Sequence, residues 1–327
     1  MKPDEAHVWT DAELEKLERR IAAEYKKAAD ELTDKIDAYF TSFAKRDAEQ
    51  KALIGTIVNG KVYTNQDYKQ WRLDQIGRGE RFKALRDRLA ERMTRASEVT
   101  AAYINGDLPK IYALNHAYTI NSVKGQVGGI LDGIDFALFD EHTVKRLLLE
   151  RPDLMPYYPE ARAIKRGIDL AYGKRQITSV VTSGILQGQS INQMARHLMS
   201  RVTDMNRTSA VRAARTAVTE AENAGRQAAR DALEEKGAIL TKRWVATPDN
   251  RTRHDHMEAD GQVVPNKEPF IVGGEKLMGP GDKSMGASLW NTINCRCTSV
   301  TDGIQFKSIL TAEQRRRANI RVEIKND

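Results

Sequence analysis

The sequence predicts an α+β protein: a predominantly α-helical, elongated body with a small C-terminal, turn-rich module that contains β-strands. Through most of the first 236 residues, apolar side chains recur at spacings of three and four, which is the helical period. Between Arg243 and Thr301 that period stops, and short runs separated by Asn, Asp, Gly and Pro predict strands and tight turns. Both cysteines lie in this stretch, so we expect the most specific chemistry of the chain there.

The first helix is predicted to extend to about Ile54, where Gly55 ends it. Thr10 and Glu13 have the spacing of a capping box, which predicts that the helix begins beside them. About 40 residues at 1.5 Å each give a helix about 60 Å long. Such a helix cannot bury itself within one small domain, so we expect an arm, a coiled-coil element or the spine of a bundle.

Several turns and caps divide the helical part further. Asn59-Gly60 predicts a turn with a short hairpin limb, and Asn65 is expected to cap a short helix. A second long helix from Phe82 is expected to close at Asn105-Gly106, with Pro109 opening the next helix. Another long helix, rich in alanine, is predicted from about Thr208 to Lys236.

These breaks predict four segments. They are an N-terminal helical arm or bundle (1–108), a helical middle region (109–206), the turn-rich module (207–303) and a basic C-terminal tail helix (304–327). The tail contains Arg315-Arg316-Arg317, which is more typical of a solvated helix face than of a DNA contact.

Composition sets limits on the class of protein. Among 327 residues, 52 Lys and Arg face 45 Asp and Glu, a net charge of +7 that permits contact with nucleic acid without requiring it. We expect no membrane span, because no run approaches about 20 apolar residues, and no export signal, because the first residues lack an apolar core. Two cysteines one residue apart cannot staple a fold, so a reducing compartment is expected.

The cysteine pair suggests a metal site. Cys295 and Cys297 would place both thiols on one face of a strand, and His256 lies in a turn that can fold back towards them. Two thiols and an imidazole are three ligands of a tetrahedral zinc ion, and His254, Asp249 or water would be the fourth. The more common role of such a pair is two buried thiols without a ligand, and a redox role is the third interpretation.

The turn between the helices and the cysteines has two interpretations. Asp249 and Asp260 are expected to accept hydrogen bonds from backbone N–H groups, with Gly261 supplying a positive φ. Arg251 and Arg253 would either bind phosphate or pair with acids of the preceding helix. No hydrolase, protease, nucleotide-binding or kinase signature is present, so no catalytic residues are predicted.

These motifs, in this order, resemble the phage Mu F-like head-morphogenesis (minor capsid) family of tailed bacteriophages. The resemblance covers roughly the C-terminal third of the chain. It rests first on AARTAVTEAENAGR (213–226), with Arg215 and Thr216, and on RWVATPDNRTR (243–253), with Trp244, Asp249, Arg251 and Arg253. The motifs that follow are His256, Asp260-Gly261, Pro280-Gly281-Asp282 and NCRC (294–297). The family often has an acid directly after Arg-Thr, where this chain has Ala217, so Glu220 would have to replace it.

The resemblance implies a structural protein of the virion, and no enzyme. It implies association with the portal protein during procapsid assembly in the host cytoplasm, contacts with major capsid or scaffold protein, and a place in the capsid interior at the portal vertex. Contact with packaged or ejected phage DNA and self-association through the N-terminal helix fit the same role. Two alternatives remain open: a metal-dependent nuclease of His/Cys type, and a free-standing DNA-binding module.

Overall fold

The computed structural model describes residues 3–128 and 170–306. The fold is α+β and mostly helical, as predicted. The helices that contain most of the described residues are α1 (Glu5–Ala52), α2 (Asn65–Arg72), α3 (Glu80–Val127), α4 (Leu170–Leu186), α5 (Ile191–Val202) and α6 (Asp204–Glu235). Among the described helices, none combines the length and the apolar character needed to cross a bilayer.

The described residues form two compact units, each built from separate stretches of chain. The first comprises residues 3–17, 104–128 and 212–306, and the second comprises residues 18–103 and 170–211. The expected segment boundaries after residues 108 and 206 fall inside α3 and α6. Of the expected tail helix, residues 304–306 belong to a strand, and the rest, with Arg315-Arg316-Arg317, lies outside the described residues.

The second unit packs helices and one small hairpin. Strands β1 (Ile57–Val58) and β2 (Lys61–Val62) pair antiparallel. The turn between them has positive φ at both Asn59 (50°) and Gly60 (76°), which confirms the predicted turn. A five-residue π-helical turn, Leu73–Gly77, follows α2, and its Ile76 carbonyl accepts a hydrogen bond from the Tyr39 hydroxyl at 2.6 Å.

Two predicted helix starts are wrong. Helix α1 already begins at Glu5, and the Thr10 hydroxyl donates to the carbonyl of Ala6 at 2.8 Å as a residue inside the helix. Helix α2 is capped by Thr64 rather than Asn65, because Thr64 and Asp67 exchange side-chain and backbone hydrogen bonds in a capping box. At α2 the predicted start is displaced by one residue, whereas the capping-box spacing of Thr10 and Glu13 in α1 does not mark a helix start.

The expected break in α3 is also wrong, since the helix continues through Asn105-Gly106 and Pro109 to Val127. Pro109 removes one main-chain hydrogen bond and weakens the helix locally. Buried apolar residues on both sides of the proline, including Ile104 and Ile111, continue one stripe in register. Burial of that stripe outweighs the lost hydrogen bond, so packing overrides the proline.

The first unit contains the β-structure. Strand β3 (Ala238–Val245) lies between β4 (Val263–Pro265) and β7 (Thr298–Phe306) in an antiparallel sheet of order β4-β3-β7. A separate hairpin pairs β5 (Phe270–Val272) with β6 (Glu275–Leu277). The short helices α7 (His254–Glu258) and α8 (Leu289–Thr292) complete this module. The predicted turn-rich module with short strands is therefore present.

Helix α6 crosses α3 closely in this unit. A Cβ on Gly225 would lie 2.5 Å from the carbonyl oxygen of Tyr112, so the backbones approach as closely as glycine allows. The small side chains of the alanine-rich helix permit such an approach. Towards the C-terminal ends of α3 and α6, buried apolar residues of these two helices and of β3 form one cluster: Ile120, Val123, Val127, Ala229, Leu233, Ala238 and Leu240.

Candidate metal centre

Cys295 and Cys297 lie in an extended segment immediately before β7. Both are free and only 2% exposed, and the side chain of Arg296 between them turns away to Asp249, with Nη2 2.5 Å from Oδ2. The alternation expected of a strand therefore holds here, although the segment precedes the strand. Both thiols face the same core, which also contains Trp244 and Phe270.

His256 meets the two thiols. Its Nδ1 lies 3.5 Å from Sγ of Cys295 and 3.5 Å from Sγ of Cys297, and its ring is 1% exposed. The ring also packs edge-on against Trp244, with centroids 5.6 Å apart and planes at 87°. Within the described residues, the three ligand atoms lie within 4.8 Å of one another. The segment that contains His256 therefore approaches the cysteines as predicted, but it is the short helix α7 and not a turn.

Side chains from other elements fix the backbone of the cysteine segment. Each of its three carbonyl groups accepts a hydrogen bond: Cys295 from Thr219 at 2.5 Å, Arg296 from Thr247 at 2.6 Å, and Cys297 from Asn223 at 3.3 Å. The preceding residue, Asn294, has a φ of 58° and donates its N–H to the Thr216 hydroxyl at 2.8 Å. Thr216, Thr219 and Asn223 all belong to α6, so the alanine-rich helix positions the thiols.

The two thiols have opposite electrostatic environments. The hydrogen bond between the side chains lowers the pKa of Cys295, and the N–H of Cys297 and the charge of Arg253 act in the same direction. The same hydrogen bond, together with burial, raises the pKa of Cys297 well above its ordinary value. The shared hydrogen bond therefore shifts the pKa values of the two thiols in opposite directions.

The two expected fourth ligands do not join this cluster. His254 is an exposed residue of α7, with Nδ1 3.6 Å from Glu258, and these two lie near Asp255 in a separate exposed group. Burial raises the pKa of Asp249, but the hydrogen bond from Arg296 outweighs it and the pKa falls to about 2. In the part of the chain that the structure describes, the cluster has three protein ligands.

The turn interpretation of the aspartates is confirmed. Oδ1 of Asp249 accepts the N–H of Arg251 at 3.0 Å, and Oδ1 of Asp260 accepts the N–H of Ala246 at 2.9 Å. Gly261 has a φ of 80° and donates its N–H to the carbonyl of Trp244 at 2.9 Å.

The arginines of this turn have local partners. The exposed Arg251 side chain pairs with Asp249 at 3.4 Å. Arg253 donates to the carbonyl of Ile293 at 2.6 Å and lies over the Trp290 ring, 5.3 Å from its centroid. Of the remaining motif residues, Arg215 is half-buried on α6. Arg253 therefore joins the turn to the segment before the cysteines.

Glu220 holds the Pro-Gly-Asp loop onto α6. It is 5% exposed and forms a short ion pair with Lys283. Gly281 has a φ of 83°, and a Cβ there would lie 3.0 Å from Cγ of Glu220. Asp282 accepts the N–H of Met278 at 2.9 Å and so shapes the loop itself. Glu220 is the acid that was expected to replace the one missing at position 217. The side chain of Ala217 is itself buried.

A second buried cluster was not predicted from the sequence. Arg226 of α6 donates to both oxygens of Asp4, at 2.6 and 2.7 Å, and Glu222 lies 2.9 Å from Nδ1 of His7. Glu222 also accepts the hydroxyl of Thr298 at 2.7 Å. Burial lowers the pKa of His7, but the Glu222 carboxylate outweighs it and raises that pKa to about 9. This cluster ties the start of α1 to α6 and β7.

Farther along α6, a third group of buried polar residues surrounds Lys242 of β3. Its ammonium donates to the carbonyl of Met278 at 2.7 Å, and burial together with the nearby Arg230 lowers its pKa to about 7. Arg230 donates to the Asn266 side chain at 3.1 Å and to the Ser299 hydroxyl at 3.1 Å. The face of α6 that meets the sheet is therefore polar and closely hydrogen-bonded.

Part of the chain is similar to known proteins. Residues 175–300 match the model of the family described as Phage Mu protein F like protein. The chain is also similar to the NAD(+)–arginine ADP-ribosyltransferase EFV of Enterococcus faecalis, with 28% identity over 193 residues. That alignment covers 58% of this chain and 33% of the relative, so the chain spans about a third of that protein's length. No solved structure matches.

The matched range contains each element that builds the site. It includes α5, α6 and β3, the turn with Asp249 and Asp260, and the Cys-Arg-Cys segment. The resemblance derived from the motifs is thereby confirmed. Residues 175–300, which are less than half of the chain, are therefore similar to phage Mu protein F like proteins.

Proposed function

We propose that this chain is a minor capsid protein that associates with the portal protein during procapsid assembly. The observation that carries the proposal is the phage Mu F-like match over residues 175–300. In the proposed role the chain is assembled into heads in the host cytoplasm and remains in the capsid interior at the portal vertex. Major capsid or scaffold protein and packaged DNA are its further partners, and no membrane takes part.

The use of the motif residues supports a structural role. Thr216 binds the N–H of Asn294, Asp260 binds the N–H of Ala246, and Arg253 binds the carbonyl of Ile293. These are bonds within the module, which fix turns and connect α6 to the segment before β7. Residues whose hydrogen bonds are made within the module stabilise its fold. Recognition of a partner then depends on other residues at the surface.

The helices provide the surface for such recognition. Helices α1 and α3 each have 48 residues, well above the usual length of about 10–14 residues in globular proteins. Long helices with a charged outer face suit docking onto another helical protein or onto a second copy of the chain. We therefore assign portal contact to the helices, and self-association, where it occurs, to α1.

We further propose that the chain performs no catalysis. His256, the histidine nearest the thiols, is buried and its Nδ1 faces them, so it is poorly placed as the base of a nuclease. His254 is exposed, but it pairs with Glu258 in a cluster separate from the thiols. The name of the Enterococcus relative describes a transferase, and this chain spans a third of that protein.

The portal proposal is tested by co-expression with the portal and capsid genes that accompany this chain. A photo-crosslinking residue is placed at Lys35, exposed on α1, and the matched control is placed at Ile271, exposed on β5. We expect the chain in procapsids and a portal adduct from position 35 alone. Absence of the chain from procapsids and from finished particles would overturn the proposal.

The absence of catalysis has its own assays. Purified chain is incubated with labelled NAD+ and an arginine-rich acceptor protein, and separately with supercoiled plasmid and Mg2+, Mn2+ or Zn2+. We expect neither label transfer nor nicking. Reproducible turnover that disappears in the His256→Gln or Glu220→Gln variant, while the fold is retained, would contradict the structural role.

A further inference from the structure

We propose that His256, Cys295 and Cys297 bind one zinc ion. The inference is independent of the portal role, because it concerns what holds the module together. Three ligand atoms of the types that zinc prefers lie close together in the core. His256 is separated from Cys295 by 39 positions and from Cys297 by 41 positions in the sequence.

The distances match a tetrahedral site. With Zn–S of about 2.3 Å and Zn–N of about 2.0–2.1 Å, the edge between a sulfur and a nitrogen ligand of a tetrahedron is about 3.6 Å. Nδ1 of His256 lies 3.5 Å from each sulfur. Both nitrogen–sulfur edges therefore have the length that a shared ion requires.

The surroundings also hold the two cysteines in fixed positions. The N–H of Cys297 donates to Sγ of Cys295 at 3.4 Å, which is the kind of backbone support that orients a thiolate ligand. The carbonyl groups of both cysteines are fixed by Thr219 and Asn223 of α6. Hydrogen bonds from α6 thus fix the backbone that carries the two cysteine ligands.

A bound ion would add a crosslink where the module needs one. Helix α7 has only five residues and its Arg253 N-cap makes no side-chain capping bond, so it has little stability of its own. A zinc ion joins it to the segment before β7 and so closes the core around Trp244. Three protein ligands leave one position, and we assign it to a water molecule, since His254 and Asp249 lie elsewhere.

The first test is metal analysis of the full chain purified under reducing conditions. We expect about one equivalent of zinc per chain. His256→Gln, Cys295→Ser and Cys297→Ser are each expected to reduce this at least tenfold. The matched control is His254→Gln, which changes the neighbouring exposed histidine of the same helix and is expected to retain the full equivalent.

The second test remains informative if a cysteine variant fails to fold. Folded wild-type chain is stripped with a chelator and titrated with Co2+. We expect thiolate-to-cobalt charge-transfer absorption with the intense visible bands of a tetrahedral ion, and a higher melting temperature on refilling with zinc. Wild-type chain that is folded, has two titratable thiols, and gives neither zinc nor the cobalt spectrum would overturn the proposal. Equal metal loss in His254→Gln and His256→Gln would do the same.

Discussion

The buried pair of Glu222 and His7 gives the sharpest prediction on stability. Glu222 is 2% exposed, and its oxygens lie 2.9 Å from Nδ1 of His7, 3.2 Å from Nη2 of Arg226 and 2.7 Å from the Thr298 hydroxyl. Glu222→Gln keeps the shape and removes the charge. It leaves His7 buried without the carboxylate that favours its protonated form, so we expect the folded state to be destabilised.

The magnitude follows from the pKa of His7. The rise of the His7 pKa from 6.5 to about 9, at about 1.4 kcal/mol per pH unit, corresponds to about 3–4 kcal/mol, of which about 3 kcal/mol is present at pH 6. Because the folded-state pKa is raised, this stabilisation is fully present below pH 6.5 and is lost as the pH rises through about 9. The pKa of Glu222 is lowered by His7 despite burial, so its contribution disappears only as the pH falls below its ordinary value of 4.5.

We therefore expect the loss of unfolding free energy in Glu222→Gln to be about 3 kcal/mol larger at pH 6 than at pH 9.5, where the buried ion pair with Arg226 is still lost but the pair with His7 no longer contributes. The assay is urea unfolding of the full chain at both values. Comparison of variant with wild type at each pH cancels other titrations, including that of Lys242, whose lowered pKa acts in the opposite direction.

The matched control is Glu258→Gln, the same substitution in an exposed His–Glu pair at 3.6 Å, for which we expect a loss below about 0.5 kcal/mol. A loss in Glu222→Gln no larger than in this control at pH 6 would refute the reasoning. So would a loss of equal size at pH 6 and pH 9.5.

Two further predictions concern glycines and use thermal unfolding. Gly225→Ala places a Cβ 2.5 Å from the carbonyl oxygen of Tyr112 and is expected to lower the free energy of unfolding by at least about 2 kcal/mol. Gly106→Ala, in open space on α3, should raise it by about 0.5–1 kcal/mol. Equal effects of the two variants would contradict the close crossing. Gly281→Ala, with φ of 83° and a crowded Cβ, should cost more than Gly274→Ala, with φ of 78° and an open one; the reverse order would show that the Pro-Gly-Asp loop does not pack on α6.

The sequence predicted what depends on local pattern. Helical periodicity identified α1 and α6, and the Asn59-Gly60 pair identified the hairpin, because the positive φ angles of its turn suit those residue types. In these cases the residue type alone carries the information. The alternation of Cys295 and Cys297 is also a local signal, whereas the approach of His256 from α7, 39 and 41 residues away, is set by tertiary packing.

The failures occurred where tertiary packing decides. Pro109 predicted a helix boundary, but buried apolar residues on both sides hold α3 together. Asp4 and His7 gave no signal, because their partners Arg226 and Glu222 lie more than 200 residues away. A spacing of four between Glu222, Arg226 and Arg230 on an alanine-rich helix was the one hint that a polar face is buried there.

That buried face changes how the family motif should be interpreted. Thr216, Thr219 and Asn223 of α6 fix the backbone before β7, while Glu222 and Arg226 hold the start of α1. These motif residues thus fix the assembly of the module, and in the proposed role the specificity for a portal comes from surface residues outside the motif. Substitution of a buried motif residue should then lower the amount of folded protein, and all interactions of the protein should be lost with it. Substitution of an exposed helical residue should remove one interaction from a protein that still folds, and this difference separates the two classes experimentally.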